Sequence, residues 1–148
     1  MSDVLSREAI VLGGQARDRE AAITEAGQLL VAAGAVDQAY VDAMHERETS
    51  VSTFMGNGLA IPHGTNEAKA LIRHTAISFI RYDEPIDWKG SPATYVVGIA
   101  GAGDDHLELL GKLGRVFVDK QRVAELEAAQ SAVEVRRILG DVGAPAAH

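Results

Sequence analysis

The stretch Leu59-Ala60-Ile61-Pro62-His63-Gly64 passes from an apolar strand into a proline, an imidazole and a residue with no side chain. Pro62 ends the strand, because its ring fixes φ and removes a backbone donor. His63 therefore stands at a stiff strand end, and Gly64 leaves one side of it open. A histidine held this way can serve as nucleophile, general base or metal ligand. The competing use is a packed core histidine or a plain turn residue, and Pro-His-Gly alone does not decide between them.

Outward from this stretch, helical and strand patterns alternate. Phe54-Met55 and Leu59–Ile61 read as short strands around the turn signal Gly56-Asn57-Gly58. Upstream, Ile10-Val11-Leu12 is a short strand. Asp18 is placed to cap a helix to about Ala33, with Ile23, Gly27, Leu30 and Val31 on one face and Gly34 as its stop. Asp37 is placed to cap a second helix to about Glu48, with Tyr40, Val41 and Met44 inward. Downstream, Glu67–Leu71 reads as one helical turn. Thr75–Tyr82 reads as a strand, and the β-branched run Tyr95–Ala100 as a central strand. Asp105 with Glu108 forms a capping-box pattern opening a helix to about Val118. A short helix follows over Arg122–Ala129. Ser131 with Glu134 opens the last helix, which runs to about Leu139.

Interleaved elements of this kind predict an α/β fold, a small mixed β-sheet of four or five strands flanked by helices on both faces. In such sheets ligand sites gather at strand ends and in the loops after them. The 148 residues are enough for one layered domain with a real core, read here as residues 1–148 with a frayed tail over 140–148.

Composition narrows the function. No apolar run approaches the ~18 residues of a membrane span. Met1-Ser2-Asp3-Val4 lacks the basic start and apolar run of a signal peptide. Cysteine is absent, which excludes disulfides, thiolate catalysis and cysteine zinc sites and fits a reducing cytoplasm. A net charge of −7 argues against general nucleic-acid binding and favours a partner with a basic face, unless it serves solubility alone. The chain has no phosphate-binding P-loop and no nucleophile elbow, and Gly101-Ala102-Gly103 falls short of a dinucleotide fingerprint. Without HxH, HExxH or cysteine, a metal would need distant ligands.

Two further residues could join His63. His106 lies in the first turn of its helix, on a stripe with Leu110, Leu113 and Phe117. A helix N-terminus disfavours added positive charge, so this ring tends to stay neutral and can donate one hydrogen bond to an anion. Arg47 ends its helix, where it either complements the helix C-terminus or offers a fork of donors to phosphate oxygens. His45 and His74 read as solvent-facing, and His148 falls in the tail. Thr65 and Asn66 read as caps for the following turn.

The pattern Glu48, Met55-Gly56 and Leu59–Gly64 resembles the signature around the phosphorylated histidine of enzyme IIA in the sugar phosphotransferase system, mannitol/fructose type. Arg47-Glu48 through Gly64-Thr65-Asn66-Glu67-Ala68-Lys69 is most similar to the mannitol branch. Val97–Ala100 with Asp105-His106-Leu107-Glu108 resembles the family's second-histidine segment. The resemblance spans about Leu5 to Leu139. It implies a cytoplasmic phosphoryl carrier that takes the group from phosphorylated HPr and passes it to a cysteine of enzyme IIB, serving a membrane permease indirectly. It implies no cofactor and no metal, and a monomer is expected. His63 then matches the phosphoryl acceptor, His106 the second histidine and Arg47 the pairing arginine, with the Gly64 N–H close by. Asn57 departs from the pattern, because mannitol members often carry an acidic residue there. Phe54, Met55 and Leu59 are the expected docking patch. Two alternatives remain at this stage. One is a regulatory nitrogen-type IIA, which commonly lacks the second histidine. The other is a metal-assisted hydrolase using His63 and His106.

Overall fold

A computed structural model of the chain describes residues 4–143. The N-terminal Met1–Asp3 and residues 144–148, His148 among them, lie outside that range. In chain order the elements are β1 (Ile10–Leu12), α1 (Arg19–Ala32), α2 (Gln38–Ser50), β2 (Phe54–Gly56), β3 (Leu59–Ala60), β4 (Ala76–Ile77), β5 (Phe79–Trp88), β6 (Ser91–Val96), β7 (Ile99–Ala100), α3 (Asp105–Phe117), α4 (Lys120–Ala128) and α5 (Ala132–Leu139). Short 3₁₀ turns cover Arg7–Ala9, Glu67–Leu71 and Gly140–Gly143.

The main sheet has five strands in the order β1-β5-β6-β3-β2. It is mixed: β1 and β5 are parallel, β5 and β6 antiparallel, β6 and β3 parallel, β3 and β2 antiparallel. Side chains alternate across it as the two-residue period requires. Leu59, Phe79 and Tyr95 face one apolar cluster, completed by Leu113, Phe117, Leu126 and Leu139 of α3, α4 and α5. Ala60, Ile80 and Val96 face the other, completed by Ile23, Leu30, Tyr40 and Met44 of α1 and α2. Helices thus cover both faces, as the sequence pattern predicted.

Local differences have identifiable causes. Tyr95–Ala100 is not one continuous strand. It breaks after Val96, and Thr75–Tyr82 breaks in the same way at Ser78. Both chains leave the main sheet there and pair with each other as the β4–β7 ribbon. The break is held by contact with α1: Ser78 Oγ donates to Ala26 O at 2.9 Å, and Ser78 N donates to Gly98 O at 2.9 Å. A Cβ on Gly98 would lie 2.7 Å from Ser78 Oγ, so only glycine permits this approach. The long β5–β6 hairpin was not anticipated. Its turn, Lys89-Gly90, takes positive φ at both residues (54° and 92°), the primed geometry that suits strand twist.

Capping follows expectation at Asp18, which accepts from Ala21 N, and at Ser131, which accepts from Glu134 N. Asp37 and Asp105 do not cap with their side chains. Asp37 pairs with Arg73 at 2.6 Å, and Asp105 accepts from Thr75 Oγ1 at 2.6 Å, leaving Asp104 at the cap position of α3. Glu108 pairs with Lys112 instead of closing a capping box. Within the stretch read as a frayed tail, Val142, 1% exposed, packs into the α5-side cluster, and residues 144–148 lie outside the described range.

Candidate functional site

Pro62 ends β3, yet the chain stays tethered to the ribbon: Ile99 N donates to Pro62 O at 2.9 Å, and His63 pairs with Ile99 in a parallel bridge. The His63 backbone is therefore held by β7, while its ring reaches outward. Ring Nδ1 lies 2.7 Å from Ile61 O. A carbonyl can only accept, so Nδ1 carries the proton and Nε2 keeps its lone pair. The neutral tautomer is set by this one bond.

Tyr40 of α2 fixes the next residue. Its hydroxyl donates to Ile99 O at 2.8 Å and accepts from Gly64 N at 3.0 Å. A Cβ on Gly64 would lie 2.7 Å from the Tyr40 ring, so glycine is required here by contact rather than by φ. Burial pushes the Tyr40 hydroxyl pKa up, which keeps it a donor. The Gly64 N–H, expected to be available to an anion, is already donated to this hydroxyl.

His106 is delivered by the first turn of α3. The helix comes close because Gly101 has no side chain; a Cβ there would lie 2.6 Å from His106 Cα. The His63 and His106 ring centroids are 4.7 Å apart, tilted at 55°. Burial first, then its neighbour His63, then Lys69 and Arg47, pull the His106 pKa down to about 4. Burial likewise lowers His63 below the ordinary imidazole value, against the opposing pull of the Ile61 carbonyl. Both rings are neutral at pH 7.

Arg47, in the last turn of α2, donates from Nη1 to Val51 O at 2.7 Å and lines the same cavity of about 140 Å³ as the two histidines. The structure therefore brings together all three residues singled out from sequence. It also adds Tyr40, Asn66 and Lys69 to the cavity wall. Beside the cavity, Glu48 is 2% exposed and accepts from Thr53 N (2.9 Å), Thr53 Oγ1 (2.6 Å) and Trp88 Nε1 (2.9 Å). Three donors satisfy the buried carboxylate. They also fix Thr53, whose carbonyl accepts from Ile61 N at 3.0 Å.

Other readings separate. Thr65 Oγ1 accepts from Ala68 N at 3.3 Å, as a cap, whereas Asn66 makes no such bond. Asn57 sits in the β2–β3 turn at φ 53° and donates from Nδ2 to Phe117 O at 3.0 Å. An acidic residue could not make that bond, so the departure at this position ties the turn to the end of α3. His45 lies 2.8 Å from Thr24 Oγ1, and His74 is half-buried rather than exposed. Of the expected docking patch, Leu59 is fully buried and Phe54 half-buried; only Met55, 41% exposed, is available. Among the described residues, no group of three or more His, Cys, Asp or Glu side chains could hold a metal ion. No helix among them is long and apolar enough to cross a membrane.

Fold and cavity together define a mixed α/β protein that presents a neutral imidazole to a small cavity with a cationic rim. The family model described as phosphoenolpyruvate-dependent sugar phosphotransferase system, EIIA 2, matches residues 3–142. The chain belongs to this family and is a phosphotransferase component, a phosphoryl carrier. It is 47% identical over 139 residues to a mannitol-specific phosphotransferase enzyme IIA component of Halalkalibacterium halodurans, covering 94% of this chain and 96% of that one. It is 42% identical over 144 residues to the component of the same name from Staphylococcus aureus, covering 97% of this chain and all of that one. Among solved structures, IIA mannitol from Escherichia coli superposes with a TM-score of 0.83 at 34% identity, covering 91% of this chain and 98% of that one. The same enzyme in complex with phosphorylated IIB gives a TM-score of 0.84 at 34% identity, covering 90% of this chain and 95% of that one.

Proposed function

We propose that His63 Nε2 is the nitrogen that carries the phosphoryl group between HPr and enzyme IIB in mannitol uptake. The observation that carries this reading is the 2.7 Å bond from Nδ1–H to Ile61 O, which leaves Nε2 as the free lone pair beside His106 and Arg47. The donor is the phosphohistidine of HPr. The Nε2 lone pair attacks phosphorus, a new N–P bond forms, and the donor's N–P bond breaks with its electron pair returning to the donor ring. In the onward step a cysteine thiolate of IIB attacks phosphorus, an S–P bond forms, and the electron pair of the broken bond returns to His63 Nε2.

The transition state is loose and in line, with negative charge spread over three equatorial oxygens. Catalysis is therefore positioning plus charge neutralisation. The Ile61 carbonyl and the Tyr40–Gly64 bond hold the His63 ring. His106, neutral, offers one ring N–H, and Arg47 offers the donors not given to Val51. A carrier must also release the group, because each ~1.4 kcal/mol of excess stabilisation slows onward transfer about tenfold. Mannitol follows from the relatives' specificity and nearly full-length match. A cytoplasmic monomer acting as one domain completes the reading. The second histidine separates it from the regulatory nitrogen-type alternative.

The test is incubation with phosphoenolpyruvate, enzyme I and HPr. Wild type takes up an acid-labile label and His63→Ala takes up none. Label retained on His63→Ala, or an acid-stable phosphoester, contradicts the assignment. Discharge onto purified mannitol-type IIB, but not fructose-type IIB, tests the sugar.

A further inference from the structure

We propose that Lys69 is the mobile counterion of the loaded site, its ammonium moving onto the phosphoryl oxygens once His63 is phosphorylated. The proposal rests on the carrier reading above and adds a residue to it.

Three of the cavity's donors are engaged before any anion arrives. The Gly64 N–H is given to Tyr40, the Tyr40 O–H to Ile99 O, and one guanidinium nitrogen of Arg47 to Val51 O. The Thr65 hydroxyl accepts from Ala68 N, and its own O–H is a neutral donor that brings no charge. Both imidazoles are neutral. A phosphoryl group brings about two negative charges into this space. Neutral donors such as the His106 N–H, the Thr65 O–H and the Asn66 amide add no charge, and among the described residues of the wall one tied arginine, apart from Lys69, is the only cation to balance the phosphoryl group. Lys69 lines the cavity and is exposed, and its ammonium has no hydrogen-bond or ion-pair partner among the described residues.

The backbone explains why Lys69 faces inward. Glu67–Leu71 is a 3₁₀ turn, and in such a turn side chains three apart eclipse. Asn66 and Lys69 stand in that relation, joined by Lys69 N donating to Asn66 O at 3.2 Å, and both line the cavity. Ala68, between them, is buried in the α1–α2 cluster and pins the turn. The lysine's charge reaches both rings, where, after burial, it opposes protonation of His63 and His106. Burial is the main cause of the rings' neutrality; the lysine adds to it, and the same cation attracts the loaded group. Its flexible stem and exposed position let it withdraw when a partner takes the group away, which a rigid, tied arginine cannot do.

The experiment is an equilibrium between this chain and phosphorylated HPr, read as the fraction of His63 phosphorylated. Lys69→Met keeps the stem and removes the charge; Lys69→Arg restores it. Lys89→Met, in the β5–β6 turn and outside the cavity wall, is the control. Lys69→Met should shift the equilibrium towards HPr by about fivefold, the upper range for a partly solvated ion pair. The shift should shrink at about 0.5 M salt, where screening is strong. Lys69→Arg and Lys89→Met should stay close to wild type. Wild-type-like phosphorylation of Lys69→Met at low salt overturns this inference alone. Failure of the wild-type chain to accept label at all overturns the carrier reading and this inference with it.

Discussion

The two ends of the sheet are built alike and differ in one respect. At one end Gly64 packs against the ring of Tyr40, whose hydroxyl is tied to Gly64 N and Ile99 O. At the other end Gly14 packs against the ring of Tyr82, whose hydroxyl donates to Glu25 at 2.6 Å. Each end also has a glutamate pinning its loop. Glu48 accepts from Thr53 and Trp88; Glu25 accepts from Gln15 N and Ala16 N as well as from Tyr82. The far end even carries the larger cavity, about 340 Å³ against about 140 Å³. Only the His63 end combines two neutral imidazoles with Arg47 and Lys69. The shared devices are those of a rigid loop. On the proposed reading the function comes from what that rigidity holds in place, and cavity size is no guide to it.

Paired substitutions at the two ends test this distinction. The largest effects come from the glycines. Gly64→Ala and Gly14→Ala each force a methyl group into a tyrosine ring and should each cost about 1–3 kcal/mol in denaturant unfolding. Only Gly64→Ala should also slow phosphoryl transfer in the folded protein. Equal transfer defects in the two variants would erase the distinction.

Smaller effects come from the tyrosines. Tyr40→Phe and Tyr82→Phe should each lose about 1 kcal/mol, since each removes a hydroxyl with buried or part-buried partners. Tyr40→Phe frees the Gly64 N–H and loosens the His63 strand end, so its transfer rate should fall about threefold or more. The Tyr82→Phe rate should be unchanged.

The smallest effect is on pH dependence. In the unfolded chain His106 takes up a proton near the ordinary value of about 6.5. In the folded protein it does so only near about 4. Between these values the unfolded state binds more protons, so stability is full above the upper value and falls as pH drops towards the lower one. Unfolding at about pH 7 and about pH 5 should show a drop that His106→Gln reduces. An identical drop in the variant would place the proton uptake elsewhere. The far end, with no histidine in its cavity wall, predicts no such contribution.

The sequence made His63 legible because its signal is local: apolar strand, proline, imidazole and glycine are consecutive. Arg47 and His106 were legible from helix position, one in a last turn and one in a first. Tyr40 was read only as inward packing, because the partners of its hydroxyl, Gly64 and Ile99, lie far along the chain. Lys69 figures only within the family resemblance, because nothing local shows that the 3₁₀ turn, pinned by buried Ala68, brings it to the wall of the His63 cavity. Asp105 looked like a cap until the fold brought Thr75 within reach of its carboxylate. The β5–β6 hairpin was hidden by Asp83, Glu84, Pro85 and Asp87, which break the apolar alternation that identifies a strand. Apart from the hairpin, the missed features depend on contacts made only after folding.

The account stands on which atom takes the phosphorus. A long-range proton–nitrogen NMR correlation spectrum of the enzymatically phosphorylated chain reads this directly. Phosphorus bonded to Nε2 of His63, with Nδ1 still carrying its proton, is the result the Ile61 bond predicts. Phosphorus on Nδ1, or on any residue other than His63, would contradict it.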